Sequence, residues 1–183
     1  MKKIFIIILI VSLVFSILLV GCNTPIDNNK HSAKRTDPVP VGETLVYNGN
    51  ISIRGYNGEP YNFEITLTDV IRGDEAKNLL QDEYISRHPE DEEEFIIAKF
   101  KIRYISSKKD DELSIYGYFD FVSNDWAKYS NTNTVQNIKP AFKSIYPGGE
   151  TEGYIWNIVS KNDTPLIVLL ENTNGGLWFK TAE

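Results

Sequence analysis

From Gly42 onward, hydrophobic and polar side chains alternate along most of the chain, which is the mark of half-buried β-strands. In residues 61–70, Tyr61, Phe63, Ile65 and Leu67 share one face, with Asn62, Glu64, Thr66 and Thr68 opposite. Residues 95–105 repeat the pattern: Ile96, Ala98, Phe100, Ile102 and Tyr104 alternate with Ile97, Lys99, Lys101 and Arg103. Shorter strands are predicted at 44–47 and 51–54, separated by the turn-former Asn48-Gly49-Asn50, and at 113–118, 119–123, 151–159 and 165–170. Leu177-Trp178-Phe179 closes the chain. Turns fall at 56–60 and at Pro147-Gly148-Gly149, and a polar loop at 130–137. The period changes once. Behind Asp74, a natural N-cap, Ala76, Leu79, Leu80 and Tyr84 recur at helical spacing, so a short amphipathic helix is expected over 74–86 on the sandwich edge. His88-Pro89 stops it. The pattern predicts a mainly β protein: an immunoglobulin-like antiparallel β-sandwich with one short helix.

The N-terminus follows another rule. Met1, Lys2 and Lys3 precede an apolar run over residues 4–20, broken only by Ser12 and Ser16. A membrane span needs about 20 apolar residues, so the run fits a signal peptide better. Leu19-Val20-Gly21-Cys22 follows directly and resembles the bacterial lipobox, in which small residues admit the signal peptidase and the cysteine thiol receives a diacylglycerol. Two acyl chains anchor stably where one is marginal, at about 0.8 kcal/mol per buried methylene. The chain has one cysteine, and it stands where the motif requires it. Residues 1–21 are therefore expected to be a cleaved signal peptide. Residues 22–41, with Pro25, Pro38 and Pro40 among polar side chains, are expected to be the lipid-anchored cysteine and a flexible tether. Residues 42–183 are expected to be the sandwich, and the protein to sit on the outer face of a bacterial cytoplasmic membrane.

The chain has 183 residues, suited to one domain, and a formal charge of −6 that becomes more negative when Lys2 and Lys3 leave with the signal. That balance argues against nucleic acid, and against anionic headgroups, as the main partner. Lys30, His31, Lys34 and Arg35 form a basic cluster in the tether with two readings, a contact with anionic lipid or solvated linker charge, of which the second is favoured, and His31 there has no evident ligand partner. The single cysteine excludes an internal disulfide and a cysteine-rich zinc site.

Arg72-Gly73-Asp74-Glu75-Ala76, residues 89–104, Phe119-Asp120-Phe121-Val122, the segment from Tyr146-Pro147-Gly148-Gly149 to Tyr154, and Leu177-Trp178-Phe179 together resemble the telokin-like extracellular domain family of Gram-positive lipoproteins. That family is related in architecture to the mycobacterial immunoprotective secreted antigen. The resemblance covers roughly residues 42–183 and implies an immunoglobulin-like sandwich, export and a biochemical role without agreed catalytic residues.

Candidate chemistry is sparse. Arg72-Gly73-Asp74 spells an integrin-binding tripeptide, but a strand-to-helix turn and a helix cap already account for it. The acidic runs 90–94 and 110–112 lack the alternating ligand positions of a calcium loop, so no metal and no cofactor are expected. His88 is the one histidine of the predicted domain, and no G-x-S-x-G elbow occurs, so no enzyme is expected. Aromatics remain: Trp156 and Trp178 are expected in the core, and Trp126 with Tyr129 as an exposed binding patch. The predicted function is a lipid-anchored, non-catalytic binding module for an unknown protein or envelope polymer. The alternative is an envelope hydrolase with an unidentified carboxylate site.

Overall fold

The computed structural model describes residues 30–52, 58–171 and 175–182. The expected signal peptide, the lipobox-like residues Leu19, Val20, Gly21 and Cys22, and the start of the expected tether lie outside the described residues. So do Arg54 and part of the turn at 56–60. The elements are β1 (Thr44–Ile51), β2 (Glu59–Arg72), α1 (Gly73–Leu79), β3 (Glu93–Ser107), β4 (Phe119–Val122), β5 (Asn133–Thr134), β6 (Glu150–Ser160), β7 (Leu166–Leu169) and β8 (Leu177–Lys180). They build an antiparallel sheet ordered β1-β2-β3-β6-β5 and a second ordered β4-β7-β8. Without β1, this is the A-B-E-D against C-F-G arrangement of the immunoglobulin fold, with β1 added at the edge of the first sheet.

The alternation read in the sequence decides which faces meet. Phe63, Ile65 and Leu67 of β2 and Ile96, Phe100 and Tyr104 of β3 point between the sheets and are buried. The Phe100 ring lies 4.6 Å from that of Phe119 and 5.2 Å from that of Phe179, both from the opposite sheet. On the outer face, Lys99–Glu152, Lys101–Glu150 and Arg103–Glu64 pair at 3.2, 2.9 and 3.3 Å. Such exposed pairs keep the face wet and contribute little stability. Toward the other end of β3 and β6 the outer face is dry. Phe95, Ile97, Trp156 and Ile158 are covered there by Ala76 of α1, by Leu80 and by Val135.

Four expectations need correction. Asn48-Gly49-Asn50 does not turn, but continues β1 and pairs with Asn62, Tyr61 and Pro60. The Tyr47 ring lies over Gly49, where a Cβ would stand 2.8 Å from its hydroxyl, and that hydroxyl donates to the Asn50 carbonyl at 2.9 Å. Glycine serves there for close approach rather than for a turn.

The helix ends at Leu79 instead of reaching residue 86, and it covers the outer sheet face rather than the sandwich edge. Arg72, extended, takes the N-cap position without a side-chain bond, and Asp74 lies in the first turn. Beyond Leu80, Glu83 accepts the amides of Gln136 and Asn137, so the backbone is held by a neighbouring loop, and Tyr84 is 91% exposed.

Residues 113–118 form no strand. Leu113 makes one bridge to Ile145, and Ile115 turns to Tyr118.

The domain also begins before Gly42. Val39 donates to the Trp178 carbonyl at 2.8 Å and accepts from Lys180 at 3.0 Å, while Ala33 accepts from Trp178 at 2.9 Å. Residues 30–41 therefore form a strap over the free edge of β8 rather than a tether, which protects that edge from other chains. Ala33 and Val39 are buried, and His31 lies 2.7 Å from Asp37 Oδ1 and 3.5 Å from Glu43 Oε2.

Candidate functional site

Strand β4 points Phe119 and Phe121 into the core, so Val122 faces outward. There it joins Val168 of β7 and Trp178 of β8 in a small buried cluster on the outer face of the three-stranded sheet. The chain then folds back on itself. Ser123 N–H donates to the Ala127 carbonyl at 2.8 Å, Trp126 N–H to the Ser123 carbonyl at 3.0 Å, and Ala127 N–H to Ser123 Oγ at 3.1 Å. Ser123 Oγ also donates to Asp125. These bonds hold Trp126 at φ 69°, a conformation a bulky residue adopts only when its surroundings fix it.

The Trp126 side chain is 53% exposed. The Arg35 guanidinium of the strap lies over the indole, 4.3 Å from the ring centroid, a cation–π contact. A groove of about 430 Å³ opens beside them, bounded by Lys34, Lys128, Glu171, Gly176 and Trp178. Gly176 is required at its floor: its φ is +81°, and a Cβ would stand 2.5 Å from Val168 and 2.9 Å from the Glu171 backbone. Lys128 is bound by Glu171 and by Asp120, the latter at 2.9 Å, and these bonds raise its pKa. Lys34 and Arg35 have no carboxylate partner among the described residues. Trp178 is buried and its indole N–H donates to the Gly175 carbonyl at 2.8 Å.

Trp126 and Tyr129 do not form one exposed patch. Trp126 is exposed, whereas Tyr129 is half-buried and packs against the main core. Its hydroxyl donates to Asp163 Oδ2 at 2.6 Å and accepts from Ser160 N–H at 3.4 Å. Asn124 N–H donates to Asp163 Oδ1 at 3.1 Å. Burial, and then the Asp163 carboxylate, push the Tyr129 phenol up to about 12. Tyr129 is thus a fastening between loops. Trp156 and Trp178 are buried, though on the outer faces of the two sheets rather than between them, and Tyr116 stacks on Phe142 at 5.7 Å.

The other charged motifs also take structural roles. Arg72 points inward, donating to Glu94 at 2.9 Å and to the carbonyls of Asp163 and Ser160 at 2.8 and 3.3 Å, so the tripeptide does not protrude. A cavity of about 490 Å³ beside α1 is lined by His88 and several acids, but Glu93 there is bound by Arg87 and Glu94 by Arg72. Among the described residues no three histidine, cysteine or acidic side chains group to hold a metal.

The sequence missed the contribution of Lys34 and Arg35 to the Trp126 face. The signal was present, since these are basic residues in an acidic chain, but nothing local places the strap beside residue 126.

No family model matches the chain, and no curated protein does. Among solved structures, it is similar to an uncharacterized β-sandwich protein from Clostridium difficile 630. The match has 14% identity and a TM-score of 0.45, covering 78% of this chain and 93% of the other.

Proposed function

We propose that this chain is a lipid-anchored, non-catalytic interaction module on the outer face of a bacterial cytoplasmic membrane, of the telokin-like lipoprotein type. Its recognition surface is the Trp126–Arg35 face. One observation carries the reading: an exposed tryptophan is held rigid in a strained turn, with an arginine stacked on it and an open groove alongside. A large aromatic whose ordering cost is already met is what a binding hot spot requires. The lipobox at Leu19, Val20, Gly21 and Cys22 supports the anchoring part.

The test has two arms. Cells fed a labelled fatty acid should incorporate it into the wild-type protein and not into Cys22→Ala, which should leave the membrane fraction. Recovery of Cys22→Ala in the membrane at mature mass would end the lipoprotein reading. A photo-crosslinking residue at position 126 should give adducts on cells that the same residue at position 84, also exposed, does not. Equal labelling at both positions would remove Trp126 from the recognition surface.

A further inference from the structure

We infer that the Trp126 face takes as its ligand the phospholipid headgroup surface of the membrane that holds Cys22, so that the domain lies against the bilayer. This rests on the lipid anchoring proposed above and names the partner of the same site.

The covalent chain carries the first part. Lys30 follows Cys22 by eight residues, which span at most about 29 Å at full extension. Lys34 and Arg35 come four and five residues later, and Arg35 lies on Trp126. Only 13 residues of chain therefore separate the anchored cysteine from the arginine that lies on the exposed indole. A surface confined so near its target meets it at high effective concentration, so weak contacts suffice.

Chemistry carries the second part. An indole with an apolar body and an N–H tip suits the headgroup level of a bilayer, and cations on long stems reach the phosphates around it. Trp126 supplies the first, and Lys34 and Arg35 the second, both without a carboxylate partner among the described residues. Lys128 is already bound by Asp120 and Glu171. The negative total of the chain does not oppose this, because exposed charges are screened over about 10 Å. The acidic run at 90–94 borders α1 and the other sheet. Each lysine or arginine brought to an anionic surface strengthens association roughly fivefold.

The lipidated full chain, its diacylglyceryl mass checked, is placed in vesicles containing phosphatidylglycerol with or without bromine on the acyl chains. Trp126 is the exposed tryptophan and Trp178 is a buried wall of the same groove, so the part of the quenching that Trp126→Phe removes reports Trp126. Brominated vesicles should quench the emission. Lys34→Glu and Arg35→Glu together should reduce the quenching at least roughly fivefold with an unchanged circular dichroism spectrum, and Trp126→Phe should remove most of it. Lys34→Glu alone, at a position whose backbone bond to Asp37 is kept and whose side chain has no carboxylate partner among the described residues, should reduce it as well.

Unquenched emission from protein that carries the lipid overturns the inference and leaves the anchoring intact. A mass without the lipid overturns the anchoring itself. Protection of Trp126 from iodide by purified wall polymer, with no bromine quenching, overturns the membrane as the ligand.

Discussion

Tyr129 donates its hydroxyl to Asp163 Oδ2 at 2.6 Å and so fastens the turn after β4 to the turn between β6 and β7. The same Asp163 accepts from Asn124 through Oδ1 and from Arg72 through its carbonyl, which joins two loops and the end of β2 at one end of the sandwich. Trp126 projects from one of them. The turn that carries Trp126 is thus held both by its own Ser123 bonds and by a fastening that lies outside the proposed recognition face.

That fastening is sensitive to alkali. The neutral phenol is favoured in the folded state, with its pKa raised from about 10 to about 12. The stabilisation is whole below pH 10 and is lost as pH rises through 12. Urea unfolding across this window should show a fall in stability that is smaller in Tyr129→Phe, since the pKa values of Tyr104 and Lys128 are raised as well. At neutral pH the variant should be less stable by about 1–3 kcal/mol, since a buried carboxylate loses a donor. Equal stability at pH 7 would contradict the role given to the bond.

Removing the strap should be costly although it lies before the predicted domain boundary. A chain beginning at Gly42 loses the buried Val39 and its two backbone bonds to β8. It should be about 2–4 kcal/mol less stable than one beginning at Lys30. It should also associate more readily through the uncovered edge. Thermal melts and light scattering of the two chains check both.

Gly153 lies under Phe142, where an added Cβ would stand 2.5 Å from the ring and 2.6 Å from the Phe142 nitrogen. The backbone contact cannot relax by a rotamer change. Gly153→Ala should cost about 1–3 kcal/mol in chemical unfolding. Gly117→Ala, which meets nothing within 4 Å, should leave stability nearly unchanged.

The strap carries its own acid reporter. His31, and then the Ser32 amide, hold the Asp37 carboxylate at a pKa of about 2. A depressed pKa means the contact is whole above about 3.9 and is lost as pH falls through 2. The Ser32 amide donates to Asp37 Oδ2 at 2.7 Å, so its proton shift should titrate with a midpoint near 2. A midpoint at the ordinary carboxylate value would show the clasp open.

Much of the sandwich was legible from local pattern. The alternation at 61–70 and 95–105 places Phe63, Ile65, Phe100 and Tyr104 inside because a pleated strand has a strict period of two. Where a residue has two local meanings, the pattern misled. Asn48-Gly49-Asn50 reads as a turn, yet Gly49 serves the close approach of Tyr47. Tyr84 fits a helical stripe but stands in solvent, because the chain beyond Leu80 is held by Glu83 to residues 136 and 137.

The sequence by itself determined the inward strand faces and the single cysteine, since these follow from period and composition. Tertiary structure decided the rest. It brought residue 35 onto residue 126, tied Tyr129 to Asp163 and drew residues 30–41 onto β8. Each is a contact between segments far apart in the chain, and a local pattern constrains only the direction of a side chain, not what it will meet.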